Sequence, residues 1–216
     1  MMTHEQEFFD AIKRGDLDAV ARLLRSSPEL IGCADGVGKT GLHWAAEADQ
    51  AEAARVLLDS GAGIEAITSW DATPLEWAAT LGSYEAAELL LERGASRYTL
   101  SVAASLGRID DVKTMIESGS HTQDDVLSEA MYGAARNGHT ELVEYLLDRG
   151  AMVDVKKVLG ATALHWAAMN GHRSTVELLV ARGAGLTIRD ERYDATPEDW
   201  ANEGGHAELA QLLHTG

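Results

Sequence analysis

Apolar residues in this chain come in short clusters at helical spacing, separated by polar segments that carry glycine. The stretches A-A-R-V-L-L (53–58), A-A-E-L-L-L (86–91), L-V-E-Y-L-L (142–147) and T-V-E-L-L-V (175–180) each offer one apolar side, and each is soon followed by Arg-Gly-Ala or Ser-Gly-Ala. That is the pattern of a short amphipathic helix ended by a C-cap glycine. A second kind of segment precedes them: T-G-L-H-W-A-A (40–46), T-P-L-E-W-A-A (73–79) and T-A-L-H-W-A-A (162–168). Its Thr reads as an N-cap, and Pro74 stands at the first helical position, where a missing N–H does no harm. Helices this short are unstable alone in water, so the pattern predicts helix pairs that bury their apolar faces against neighbouring pairs.

The clusters follow a register. Markers at Gly15, Asp49, Gly82, Gly107, Gly138, Gly171 and Gly205 are spaced by 34, 33, 25, 31, 33 and 34 residues. Nine residues before four of them stand Thr40, Thr73, Thr162 and Thr196, and five before the same four stand Trp44, Trp77, Trp166 and Trp200. Eight residues after the markers come Leu23, Leu57, Leu90, Met115, Leu146, Leu179 and Leu213. Columns locked to one marker are the signature of a repeat array.

At these residues the chain resembles the ankyrin repeat family, as a stand-alone array of the bacterial type. The T-P-L-H-x-A-A and G-H-x-E-x-x-x-x-L-L-x-x-G-A signatures run essentially from residue 5 to 216. The resemblance implies an all-α solenoid of about seven helix pairs in one domain, 1–216, with units near 5–34, 35–67, 68–95, 96–120, 121–155, 156–188 and 189–216. It also implies a turn or β-hairpin finger before each pair, here Asp35–Lys39, Thr68–Ala72, Asp124–Ser128, Lys157–Ala161 and Glu191–Ala195.

Departures from the pattern carry expectations too. The 25-residue interval removes about eight residues before Gly107, so the finger of the fourth unit is expected to be absent or reduced to a tight turn. The fifth unit reads E-A-M-Y-G-A-A (129–135), with Gly133 in the Trp column, which makes the middle the least regular part, and a notch or a change of curvature is expected there. In the last unit Glu198, Asn202 and His214 replace apolar residues, as a terminal cap requires. Residues 5–34 form the opposite cap, with Phe8, Ala11, Ile12, Val20, Leu23 and Leu24 on one side.

Composition adds exclusions. With 18 basic and 35 acidic residues among 216, the net charge is −17, and each half carries about half of it. Nucleic acid and anionic membrane surfaces are therefore not the expected partners. The sequence has one cysteine, Cys33, which rules out an intrachain disulfide and fits a reducing, cytoplasmic setting. The N-terminal M-M-T-H-E-Q-E-F-F-D lacks an apolar signal region, and no stretch approaches the roughly 20 apolar residues of a membrane span. No stretch reads as an effector either, so whatever the protein controls is expected to be recruited.

Candidate chemistry is sparse. Gly38-Lys39-Thr40 matches the end of a phosphate-binding loop, but Cys33 stands where G-x-x-x-x-G-K-[ST] needs its first glycine, and Gly32 is one residue too early. His43 and His165, like His139, His172 and His206, fall at repeat positions, where imidazoles are expected to bridge backbone groups of successive loops. His4, His121 and His214 show no metal-ligand spacing. No base stands beside Cys33 in the pattern, and carboxylates such as Glu52, Glu85, Asp110, Glu141 and Glu208 sit at helix starts, where they favour the helix dipole. Neither a cofactor nor a metal nor a catalytic role is expected.

The resemblance implies a protein-interaction module that uses finger tips and the inner helix face. Its variable positions fall here at Val37, Lys39 and Glu47, then Trp70 and Thr80. Across the middle they fall at Arg97, Ser105, Asp125, Ser128 and Arg136, and afterwards at Leu159, Met169, Asn170, Tyr193 and Glu203. The Trp column reads as packing between repeats, whereas Trp70 and Tyr193 read as exposed anchors. In an acidic frame the expected partner is a protein with a basic or apolar patch, bound by a monomer. The alternative is small-molecule binding or catalysis in a pocket at the irregular central units near the Trp row.

Overall fold

The structure is a computed structural model, and it describes residues 3–118 and 124–215. The chain divides into two compact units, Met1–Tyr98 and Thr99–Gly216. The first holds α1 (His4–Lys13), α2 (Leu17–Ser26), α3 (Gly41–Glu47), α4 (Ala51–Asp59), α5 (Pro74–Leu81) and α6 (Tyr84–Glu92). In the second lie α7 (Leu100–Ser105), α8 (Ile109–Glu117), α9 (Asp124–Arg136), α10 (Thr140–Asp148), α11 (Ala163–Met169), α12 (Arg173–Ala181), α13 (Pro197–Glu203) and α14 (Ala207–Thr215). Each odd-numbered helix packs on the even-numbered helix that follows it. The odd-numbered helices also stack on one another, α1 on α3 on α5 in the first unit and α7 on α9 on α11 on α13 in the second.

The apolar columns of the sequence form the core. Phe8, Ile12, Leu42, Leu57, Leu75 and Leu90 in the first unit are fully buried, as are Leu100, Met131, Leu142, Leu146, Leu164 and Leu179 in the second. Each such side chain contributes about 1.5–3 kcal/mol, which is what lets helices of 6 to 13 residues persist. Between the two helices of a pair the chain must turn left-handed: φ is +71° at Gly82 and +78° at Gly138. At Gly138 a Cβ would also fall 2.5 Å from the His172 ring. Asp49 adopts the same conformation, with φ +49°, and its Oδ1 accepts from the Ala86 amide at 2.9 Å.

Four fingers close alike. The amide of Asp35 donates to Lys39 O, Thr68 to Ala72 O, Lys157 to Ala161 O and Asp190 to Ala195 O, each at 3.0 Å. Successive fingers are joined as well, Ser69 N to Val37 O in the first unit and Glu191 N to Leu159 O in the second, each 2.9 Å. Among the described residues these are turns, with one isolated bridge between Ala34 and Thr40.

The fourth finger is missing as expected: Thr99 caps α7 directly, its Oγ1 accepting from Val102 N at 3.2 Å. The fifth departs from expectation, because Asp124–Ser128 is helical and begins the 13-residue α9. Val126 and Leu127 continue the helical register of Ala130 and Met131, and Leu127 is buried. The glycine in the Trp column is explained by its neighbour, since a Cβ on Gly133 would lie 2.1 Å from Ser105 Oγ. At the C-terminal end the substituted polar residues meet each other, His214 Nδ1 lying 3.2 Å from Glu198 Oε2.

Candidate partner-binding site

In the first unit the inner helices carry a ladder of rings and cations. Lys39 leaves the end of its finger and places Nζ 3.8 Å from the centre of the Trp44 ring and 4.9 Å from that of Trp77. Glu47, one turn beyond Trp44, accepts from Lys39 Nζ at 2.6 Å and from Trp77 Nε1 at 3.0 Å. Lys13 covers Trp44 at 3.6 Å, and Trp70 stacks on Trp77 with ring centres 5.8 Å apart and planes 14° from parallel. A cation held between ring faces and a carboxylate is bound by quadrupole and charge together.

The candidate residues of this unit therefore differ in what they offer. Trp70 stands out from its finger at 62% exposure, an apolar surface for a partner. Thr80 is exposed and Val37 half-buried. Lys39 is a correction: it is buried and fully engaged, so it braces the finger against Trp44 and is no finger-tip contact. Glu47 is partly spent on the same brace. Arg97 is occupied by Asp71 and Glu76, each with an oxygen 3.3 Å away, and these hydrogen bonds raise its pKa.

In the second unit the candidates converge. A groove of about 560 Å³ opens beside α11 and α13. It is lined by Leu159 and Tyr193 from successive fingers, by Trp166 and Met169 of α11, by Trp200 and Glu203 of α13, and by Ala195 and Asp199. Trp166 meets Trp200 edge to face at 4.9 Å, and His165 meets Trp200 likewise at 5.4 Å. Trp200 Nε1 donates to Asp190 Oδ2 at 2.9 Å, which ties the finger to the helix. Burial opposes the charge of Asp190, but hydrogen bonds from Tyr193 N, Trp200 Nε1, Arg192 N and Ala195 N outweigh it and hold the carboxyl below its usual range.

Arg136 lies next to this row, its guanidinium carbon 3.6 Å from the centre of the Trp166 ring. Burial lowers its pKa, and among the described residues no carboxylate pairs with it. Asn170 is exposed and donates to Arg136 O at 2.8 Å. Two candidates fall away: Ser105 is buried against Gly133 and so is a packing residue, and Ser128 is buried in α9, where its Oγ accepts from Met152 N at 2.8 Å. Asp125 belongs to α9, but its side chain lies outside the described residues. Trp166 and Trp200, read from the sequence chiefly as packing between repeats, also face the groove; their place beside the fingers is the signal that points there.

The remaining polar groups are structural. Thr40 N donates to His43 Nδ1 at 3.2 Å, so the neutral ring carries its proton on Nε2, which donates to Ala72 O at 3.0 Å. His165 repeats this with Thr162 N and Ala195 O, while His139 reaches Ser105 O and His172 reaches Arg136 O. Burial lowers the pKa of all four rings. Burial likewise pushes the Cys33 thiol up to about 11, with Glu5 adding to it. Among the described residues no group of His, Cys, Asp and Glu is placed to hold a metal ion, and no helix is long and apolar enough to cross a membrane.

This geometry agrees with two comparisons. The family profile described as Ankyrin repeats (3 copies) matches residues 8–99 and again 100–190, and the chain belongs to that family. The crystal structure of the human ASB11 ankyrin repeat domain is similar to this chain at 26% identity and a TM-score of 0.51, covering 97% of each chain. Ankyrin repeats are generally protein–protein interaction modules, and typically non-catalytic.

Proposed function

We propose that this protein is an interaction scaffold that holds a partner protein by its fingers and inner helices, with the groove beside α11 and α13 as the principal contact of its second unit. One observation carries the reading: Leu159, Met169, Tyr193 and Glu203, nominated one by one from their repeat positions, line a single groove with Trp166 and Trp200. Rigid aromatic and aliphatic walls at the end of a helix stack are the material of interface hot spots. Arg136, stacked and without a carboxylate, supplies a donor beside it, and Trp70 supplies an anchor in the first unit. The acidic surface favours a partner with basic residues around an apolar patch. The proposal includes a monomer in the cytoplasm with no chemistry of its own. None of the groove's lining residues comes from the shortened fourth unit, and no observation among the described residues favours the central pocket considered in the sequence.

The test is affinity capture from native lysate with four baits: wild type, Tyr193→Ala/Arg136→Ala, Trp70→Ala, and Glu141→Ala as a control on an exposed helix start. Partners held by wild type and the control should be depleted about tenfold or more on the double variant, the usual scale of a lost hot spot. Equal yields on all baits would remove the groove from the interface.

A further inference from the structure

The first unit offers a parallel for the groove in the second, and the inference drawn from it rests on the partner-binding reading and narrows it to one chemical class. Residues 39–47 and 195–203 are built alike. Each begins with the residue that closes a finger, followed by a Thr N-cap, a Trp four residues after the Thr and a Glu three residues further on. In the first segment the closing residue is Lys39, and its ammonium lies 3.8 Å from the Trp44 ring centre and 2.6 Å from Glu47 Oε2. In the other segment it is Ala195, whose side chain stops where that of Lys39 begins. Trp200 and Glu203 keep their places, and all three residues line the groove.

The cation is thus the missing member of the set. Among the described residues Trp44, Trp77 and Trp166 each have a cation over the ring and none lies over Trp200, which packs against Trp166 and His165 and keeps 7% of its surface exposed where it lines the groove. Glu203 forms no hydrogen bond or ion pair with any described residue. Asp199, also in the groove wall, is held ionised below its usual range by hydrogen bonds from Thr196 N and Oγ1. Of the neighbouring cations, Arg136 lies over Trp166, Arg192 lies over its own neighbour Tyr193 at 5.8 Å, and Arg189 donates to Asp194 while its charge also favours the ionised Asp199.

We propose that the groove takes a lysine side chain of the partner protein, with the ammonium against Trp200 and Glu203 and its methylenes against Leu159 and Met169. The aromatic wall and the carboxylate attract the same charge, and the apolar wall covers the stem, as the first unit does for Lys39. Charge complementarity supports the choice, since the surface around the groove belongs to a chain of net charge −17.

The test is a titration of the full chain, with nitrogen-15-labelled indoles, by the peptide acetyl-Gly-Lys-Gly-amide and by its uncharged norleucine counterpart. Saturable shifts of the Trp200 and Trp166 indole signals are expected with the lysine peptide, at a half-saturation about fivefold or more below that of the norleucine peptide. Ala195→Lys, which supplies the cation from within, should abolish the response while its melting temperature shows that it folds; Glu203→Gln should weaken it severalfold. Equal response to both peptides, or an undiminished response in Ala195→Lys, overturns the proposal. Natural partners that Tyr193→Ala loses but Ala195→Lys retains would overturn it as well, while leaving the interaction surface in place.

Discussion

Leu159 holds φ at +64° beside Gly160 at +70°, a pair of left-handed residues in which Leu is a costly choice. Its side chain lines the groove, which gives the strain a use. Leu159→Gly should therefore leave thermal stability unchanged or raise it by about 1 kcal/mol, yet reduce partner capture; a fall in both would make Leu159 a stability residue. Asp190 is the opposite case, 3% exposed and accepting from three backbone amides and an indole. Replacing it by Ala strands those donors and should lower stability by about 1–3 kcal/mol, read as a shift in the urea midpoint. At this scale the sequence was half legible. The exposed anchors Trp70 and Tyr193 follow from finger positions, but the engagement of Lys39 and the burial of Ser105 depend on which neighbour each faces, and repeat position does not tell that.

Helices α3 and α11 open with capping boxes whose third residue is a histidine, whereas α13 uses Asp199. The difference has a pH dependence. Burial lowers the pKa of His43 and His165, so the unfolded chain binds the proton more readily than the folded one. Their contribution to stability is thus complete above the ordinary histidine value of about 6.5 and is lost as pH falls below it. A protonated Nδ1 can no longer accept from the Thr amide, so the cap itself opens. Asp199 is held ionised by Thr196 and keeps its cap in the same window. Hydrogen exchange at pH 5 should accordingly show the starts of α3 and α11 losing protection relative to pH 7.5 while that of α13 keeps it. Equal loss at all three would exclude the histidine caps as the cause. Helix pairs and their limits were legible because Thr, Gly and the apolar register repeat. The segment 124–128 was misassigned because the family pattern called for a finger there, while Val126 and Leu127 were already in register with Ala130 and Met131.

For the molecule as a whole, 35 carboxylates against 18 basic residues make self-repulsion a standing cost of compactness. Most ion pairs are exposed and contribute little, so screening should relieve more repulsion than it weakens attraction. The melting temperature at pH 7.5 is expected to rise between 20 and 500 mM sodium chloride, both about; a fall would show that the ion pairs outweigh the excess charge. Membership of the ankyrin family was legible in full, because the repeat is written in residue types. The groove was not, because it is made by residues of two fingers and two helices at once. The solitary thiol of Cys33 is half-buried against the core of the first unit, and that burial pushes its pKa up to about 11. In the folded chain at pH 7.5 fewer than about one thiol in a thousand is ionised, against about one in ten once it is freed. Alkylation of that single sulfur is therefore expected to be slow in the folded chain and to speed up when the N-terminal end of the array is loosened, by a substitution in its core for instance, with no label added.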